Sequence, residues 1–75
     1  MVWMARDICI ALGERIRTLR EKRGWRQIDL AEEVGIHENY VSDLELGRKE
    51  ICLRALNALA SAFDMTPAEL LKGIE

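Results

Sequence analysis

The apolar residues of this chain recur every three or four positions, and no stretch alternates apolar and polar residues for long. Such spacing places the apolar side chains on one face of an α-helix, whereas a half-buried strand requires alternation. The first apolar series consists of Ile8, Leu12, Ile16 and Leu19. It predicts a helix over residues 7–23, and the pattern as a whole predicts an all-α fold.

Glycines separate the periodic stretches at Gly24, Gly35 and Gly47. A glycine just after the last periodic residue is typical of a helix end, because it adopts left-handed backbone angles without strain. The further helices are predicted over residues 27–34, 38–46 and 53–63, and a short fifth helix follows Thr66. Thr66 and Glu69, with a proline between them, form the pattern of a capping box.

The chain has 75 residues, of which 49% are hydrophobic and 32% are charged. This size favours one domain, predicted over residues 7–75, and the composition excludes intrinsic disorder. Residues 1–6 are predicted to form an apolar N-terminal tail that includes Trp3. Since no apolar run approaches the roughly 18 residues of a membrane span, we expect a soluble cytoplasmic protein that does not contact membranes.

Few residues of this chain are suited to catalysis or metal binding. The sequence contains two cysteines, Cys9 and Cys52, and a single histidine, His37. These form no metal-ligand spacing, and no glycine-rich phosphate loop accompanies them. We therefore expect reduced, half-buried thiols, no catalytic residues, no metal, no cofactor and no small-molecule effector.

The charge is unevenly distributed along the chain. The net charge is −2, but residues 15–26 contain six basic residues and one acid. A cationic edge of this kind can face phosphates of a nucleic acid. The alternative is an ordinary solvated helix face.

Residues 27–46 have the pattern of two helices joined by a tight turn. Their apolar members are Leu30, Val34, Ile36, Val41 and Leu44. Ala31 is small where the two helices would cross, and Gly35 suits the turn between them. Together these positions predict a helix-turn-helix.

The stretches LGERIRTLREKRGWRQIDLAEEVGI, YVSDLELGRKEICLRALNALASAF and MTPAELL resemble the lambda-repressor-like helix-turn-helix family of DNA-binding proteins. The resemblance covers residues 12–71. It implies five helices, with the helix over residues 38–46 lying in the major groove as recognition helix. The link G-R-x-x-I-x-L, which begins at Gly47, is similar to that of small controller proteins of restriction-modification systems.

The resemblance also implies roles for individual side chains. Its base-reading positions hold Glu38, Asn39, Ser42 and Asp43. Its DNA-backbone positions hold Arg20, Arg26, Gln27, Tyr40, Arg48 and Lys49. Asparagine pairs with adenine through both polar atoms, and a carboxylate accepts from cytosine N4. The acids at two base-reading positions leave open either a cytosine-bearing site or a surface that binds protein.

Two structural expectations accompany these roles. In the family, a glutamate at the position of Glu45 pairs with an arginine at the position of Arg20. This pair would hold the recognition helix against the first helix. At the starts of helices two, three and four, Arg26, His37 and Cys52 replace the usual Ser or Thr. We expect each start to lose about 1 kcal/mol relative to a good cap.

The predicted function is that of a sequence-specific transcriptional regulator that binds double-stranded DNA as a homodimer on a near-palindromic operator. A two-fold dimer is expected because a domain this small covers few base pairs alone. Leu70, Leu71 and Ile74 are predicted either to close the core or to form the dimer contact. The alternative function is a protein-interaction module, such as an antitoxin or a coactivator-like adaptor.

Overall fold

The computed structural model describes residues 7–74, which form five α-helices and no strand. The helices are α1 (Ile8–Lys22), α2 (Gln27–Val34), α3 (Glu38–Glu45), α4 (Leu53–Ala62) and α5 (Pro67–Leu70). The predicted all-α, five-helix fold is confirmed, and each predicted end of α1 to α4 lies within one residue of the observed end. The predicted tail over residues 1–6 and Glu75 lie outside the described residues.

One apolar core holds the five helices together. α3 packs against α1 and α2, while α4 packs against α2 and α5. The buried members of this core are Leu12, Ile16, Leu30, Ala31, Val41, Leu44, Leu56, Leu59, Ala60, Phe63, Leu70 and Ile74. Ile8, which belongs to the predicted apolar series of α1, is exposed instead, and so is Leu53 in α4. Each is the first residue of its helix, and the first buried residue follows four positions later in α1 and two positions later in α4.

α1 and α3 approach each other closely at Gly13, a contact that the sequence pattern did not reveal. A Cβ atom at Gly13 would lie 2.6 Å from the carbonyl oxygen of Glu45 and nearer still to that of Leu44. Because both neighbours are backbone atoms, only glycine allows this approach. A glycine inside an otherwise helical stretch was the available indication.

The helix starts differ in part from the sequence expectation. The Thr66 hydroxyl accepts from the Glu69 amide at 3.1 Å and Glu69 accepts from the Thr66 amide at 2.8 Å, which confirms the capping box. Nδ1 of His37 accepts from the amide of Asn39 at 3.0 Å, so the expectation that His37 is a poor cap is wrong. Neutral imidazole supplies the acceptor that the helix start requires. Among the described helices, none has the length and hydropathy of a membrane span.

Candidate nucleic-acid interface

The predicted helix-turn-helix is present, and it turns at Gly35. This glycine has φ +80°, and its amide and the amide of Ile36 donate to the Ala31 carbonyl at 2.8 and 3.1 Å. Other residues adopt such a positive φ only at a cost, so glycine permits the sharp turn. Val41 and Leu44 then pack into the core and leave the opposite side of α3 facing outward.

A charged network around Glu45 sets the position of α3. Nε and Nη2 of Arg20 donate to the two Glu45 oxygens at 2.6 and 3.0 Å, and Nε2 of Gln27 donates to Oε1 at 3.0 Å. The side chains of Arg20 and Glu45 are only 11% and 3% exposed. The hydrogen bond to Glu45 raises the pKa of Arg20. The predicted pair is confirmed, and it joins α3 to α1 and to the start of α2.

The four residues at predicted base-reading positions lie together on the outward side of α3. Glu38 and Asn39 are exposed, while Ser42 and Asp43 are half-buried. Because Ser42 and Asp43 follow the first two by four residues, all four share one side of the helix. Their contact with bases stays a prediction.

The six residues at predicted DNA-backbone positions differ in their exposure and in whether they already bond within the chain. Arg26, Arg48 and Lys49 are exposed at the edges of the α2–α3 unit. The Tyr40 hydroxyl accepts from the Cys52 amide at 3.4 Å. Arg20 and Gln27 already bind Glu45. Contact with the DNA backbone stays a prediction for all six.

The basic stretch over residues 15–26 does not form a continuous free edge. Arg15 donates to the carbonyl oxygens of Leu70 and Glu69 at 2.8 and 2.9 Å, and it thereby caps the C-terminal end of α5. Arg17 pairs with Glu21 at 3.3 Å, and Arg23 pairs with Asp64 at 3.1 Å. The side chain of Arg23 also lies over the Trp25 ring. These cations therefore stabilise their own chain.

Acidic side chains pair with two of the exposed cations near α3. Nη2 of Arg26 lies 3.0 Å from Oδ1 of Asp29, and Nζ of Lys49 lies 3.2 Å from Oδ2 of Asp43. Hydrogen bonds from Arg26 hold the pKa of Asp29 below its usual value. Sequence reasoning missed Asp29, although its position three residues after Arg26 is typical of a helix-start carboxylate. The Arg48 side chain makes no ion pair within residues 7–74.

Two of the three residues at the predicted dimer contact belong to the core of their own chain. Leu70 is 0% exposed and Ile74 is buried, which realises the core alternative and leaves neither with surface for a partner. Leu71 is 38% exposed. Of these three residues, Leu71 therefore remains available for a dimer contact, which stays a prediction.

The expectation of two half-buried thiols is wrong for Cys52, which is exposed at the start of α4.

Residues 11–72 match the family model described as helix-turn-helix domain. The chain belongs to this family. Among curated relatives in the family, the HTH-type transcriptional regulator DdrOP3 of Deinococcus deserti is 45% identical over 64 residues, which make up 85% of this chain and 50% of that protein. Control protein C.BamHI of Bacillus amyloliquefaciens is 30% identical over 69 residues, 91% of this chain and 85% of the relative. The chain thus spans half the length of the Deinococcus regulator and most of the control protein.

Solved structures of the same kind have closely similar folds. The restriction-modification controller protein C.AhdI from Aeromonas hydrophila is 35% identical with a TM-score of 0.79, and the match covers 83% of this chain and 94% of that chain. The DNA-binding domain of the P22 c2 repressor is 37% identical with a TM-score of 0.77, over 85% and 86%. The lambda-repressor-like resemblance is therefore confirmed.

Proposed function

We propose that this chain binds double-stranded DNA at specific sequences as a homodimer and thereby regulates transcription. The observation that carries the proposal is the outward side of α3, which bears Glu38, Asn39 and Ser42 while Val41 and Leu44 hold the helix on the core. A helix presented in this way fits the major groove, where base edges are distinguishable. The relatives described as transcriptional regulators and controller proteins support this function.

Each polar side chain on α3 has a chemistry suited to a base edge. Asn39 is matched to adenine, and the Glu38 carboxylate accepts from cytosine N4. Arg48 is exposed and makes no ion pair among the described residues, so its cation is available to a phosphate. The base contacts would then specify the sequence while Arg48 positions the domain.

A homodimer follows from the size of the reading unit. One α3 helix reaches only a few base pairs, and a two-fold pair of such helices reads two half-sites about one DNA turn apart. The expected operator is therefore a near-palindrome. The matches cover 85% of control protein C.BamHI and 94% of controller protein C.AhdI, which supports a regulatory role for this domain.

Selection of bound duplexes from a random pool, followed by salt titration, tests this function. We expect a near-palindromic consensus and a loss of affinity of about 1,000-fold or more between roughly 50 and 200 mM salt. Asn39→Ala should relax the preference at one base pair of each half-site. Arg48→Ala should weaken all duplexes alike and reduce the salt slope by about 2, because each subunit of the homodimer loses one phosphate contact. Absence of binding to any duplex at low salt would contradict the proposal and favour the protein-interaction alternative.

A further inference from the structure

Lys49 lies beside the base-reading side of α3 because of how the chain turns after that helix. Gly47 has φ +71°, and the Arg48 amide donates to the Asp43 carbonyl oxygen at 2.9 Å. The next residue is thereby brought back towards α3, where Nζ of Lys49 lies 3.2 Å from Oδ2 of Asp43. The two side chains are 58% and 25% exposed, so both remain accessible.

This ion pair changes the electrostatic character of Asp43. A lone carboxylate on the outward side of α3 would be repelled by the phosphates that line a DNA groove. The ammonium of Lys49 neutralises that charge at hydrogen-bonding distance. The same contact directs the ammonium towards the side of α3 that carries Asn39 and Ser42. Asp43 and Lys49 therefore present a neutral unit that both donates and accepts hydrogen bonds.

The hydrogen-bonding pattern of the unit matches one kind of base pair. An ammonium has three N–H groups, so two remain for other acceptors when one faces Asp43 in the ion pair, and the carboxylate retains free lone pairs. In the major groove a G·C pair shows two adjacent acceptors, guanine N7 and O6, followed by the donor at cytosine N4. An A·T pair instead places its donor between two acceptors and adds the thymine methyl group. Two donors beside one acceptor fit the G·C order better.

We propose that Lys49 and Asp43 together read one G·C base pair in each half-site. Lys49 donates to guanine N7 and O6, and Asp43 accepts from N4 of the paired cytosine. The inference rests on the proposed DNA-binding function and assigns Lys49 to specificity, in place of the phosphate contact predicted from sequence. Arg48, which lacks such a partner within residues 7–74, keeps the phosphate role.

The test measures affinities for the selected duplex and for duplexes changed at single base pairs. The variants are Lys49→Met, which keeps the aliphatic stem, Asp43→Asn, which keeps the size, and Arg48→Met as the matched control. The wild type should prefer G·C at one position by about 5- to 150-fold. Both Lys49→Met and Asp43→Asn should remove most of that ratio at this same position and leave the other positions unchanged. The double variant should lose little more.

Three outcomes separate this proposal from the function on which it rests. If Lys49→Met weakens every duplex alike, as Arg48→Met should, Lys49 is a phosphate ligand and the inference is overturned. If the two variants relax different positions, the side chains read independently, which also overturns it. If the wild type binds no duplex, the DNA-binding function itself fails and the inference fails with it. Because neither side chain belongs to the buried core, thermal unfolding should show folded variants, and Lys49→Gln provides a second substitution.

Discussion

At the scale of single residues, the buried charge of Glu45 has consequences that exposed ion pairs lack. The sequence resemblance predicted its bond to Arg20, but the additional donor from Gln27 became visible only in the structure. Removing one partner leaves the other charge desolvated without compensation. The network therefore holds α3 in place, because any movement of α3 that separates Glu45 from Arg20 would leave a buried charge without a partner.

We expect Glu45→Ala to lower the free energy of unfolding by about 3–5 kcal/mol, because Arg20 remains buried without its carboxylate. Urea unfolding followed by circular dichroism measures this loss. Glu21→Ala breaks the exposed pair with Arg17 and is the control, with an expected loss of about 0.5 kcal/mol or less. Equal losses in the two variants would show that the Glu45 network is as weakly stabilising as a surface pair.

Gly13 gives a second prediction, in which tertiary packing reverses an intrinsic preference. At an exposed helical site, glycine to alanine gains about 1 kcal/mol. A Cβ at Gly13 would instead meet the backbone of Leu44 and Glu45, so Gly13→Ala should lose about 1–3 kcal/mol. Thr18→Ala, at an exposed position of α1, should be neutral or gain up to about 0.5 kcal/mol in the same urea titration. Stabilisation by Gly13→Ala would show that α1 and α3 lie farther apart.

At the scale of helices, the sequence predicted where each helix ends, but it did not predict which parts of the chain pack against each helix. Gly24, Gly35 and Gly47 mark helix ends because a positive φ is a local requirement that a single residue satisfies. The exposure of Leu53, 82%, depends on what packs against α4, and periodicity carries no such information. The bond from Arg15 to the end of α5 likewise joins residues that are far apart in sequence.

The start of α5 gives a pH-dependent prediction. Hydrogen bonds from Thr66, chiefly from its amide, lower the pKa of Glu69 in the folded protein. A lowered folded-state pKa means that this stabilisation is present at neutral pH and is lost as the pH falls through the folded-state value. We expect Glu69→Gln to reduce the melting temperature at pH 7, and this difference should shrink towards about pH 3.

Melting curves at several pH values check this expectation, with Glu32→Gln as the control. Glu32 is exposed on α2 and forms none of the ion pairs or side-chain hydrogen bonds described within residues 7–74. Its variant should follow the wild type across the pH range. If Glu69→Gln also follows the wild type at every pH, the capping carboxylate adds nothing to stability.

At the scale of the whole molecule, charge was harder to predict than shape. The outward set Glu38, Asn39, Ser42 and Asp43 follows from helical spacing alone, since a helix fixes which residues share a side. The sequence also showed a cationic run, but not that Arg15 and Arg23 would be used within the fold. Long side chains reach partners across the chain, and only the packed structure determines which partner is near. The surface around α3 therefore carries two paired cations, Arg26 and Lys49, beside Arg48, which is unpaired among residues 7–74, rather than a continuous basic strip.

Assembly gives the last prediction. Of the residues predicted for the dimer contact, only Leu71 is accessible, so Leu71→Glu should weaken a homodimer without unfolding the domain. Its free energy of unfolding should change by about 0.5 kcal/mol or less, as is usual for surface substitutions. DNA affinity should fall by about 100-fold, because the two half-sites would be bound independently. Sedimentation velocity measures the dimer, and fluorescence anisotropy measures the DNA affinity.

Leu70→Ala is the matched control, because Leu70 is next to Leu71 in the chain but its side chain is buried in the core. It should lose about 2–5 kcal/mol of unfolding free energy through the cavity that it leaves. At temperatures where the folded state persists, its dimerisation should be less affected than that of Leu71→Glu. If Leu71→Glu remains dimeric with unchanged DNA affinity, the dimer forms through another surface, because a buried carboxylate without a partner is incompatible with a close apolar contact.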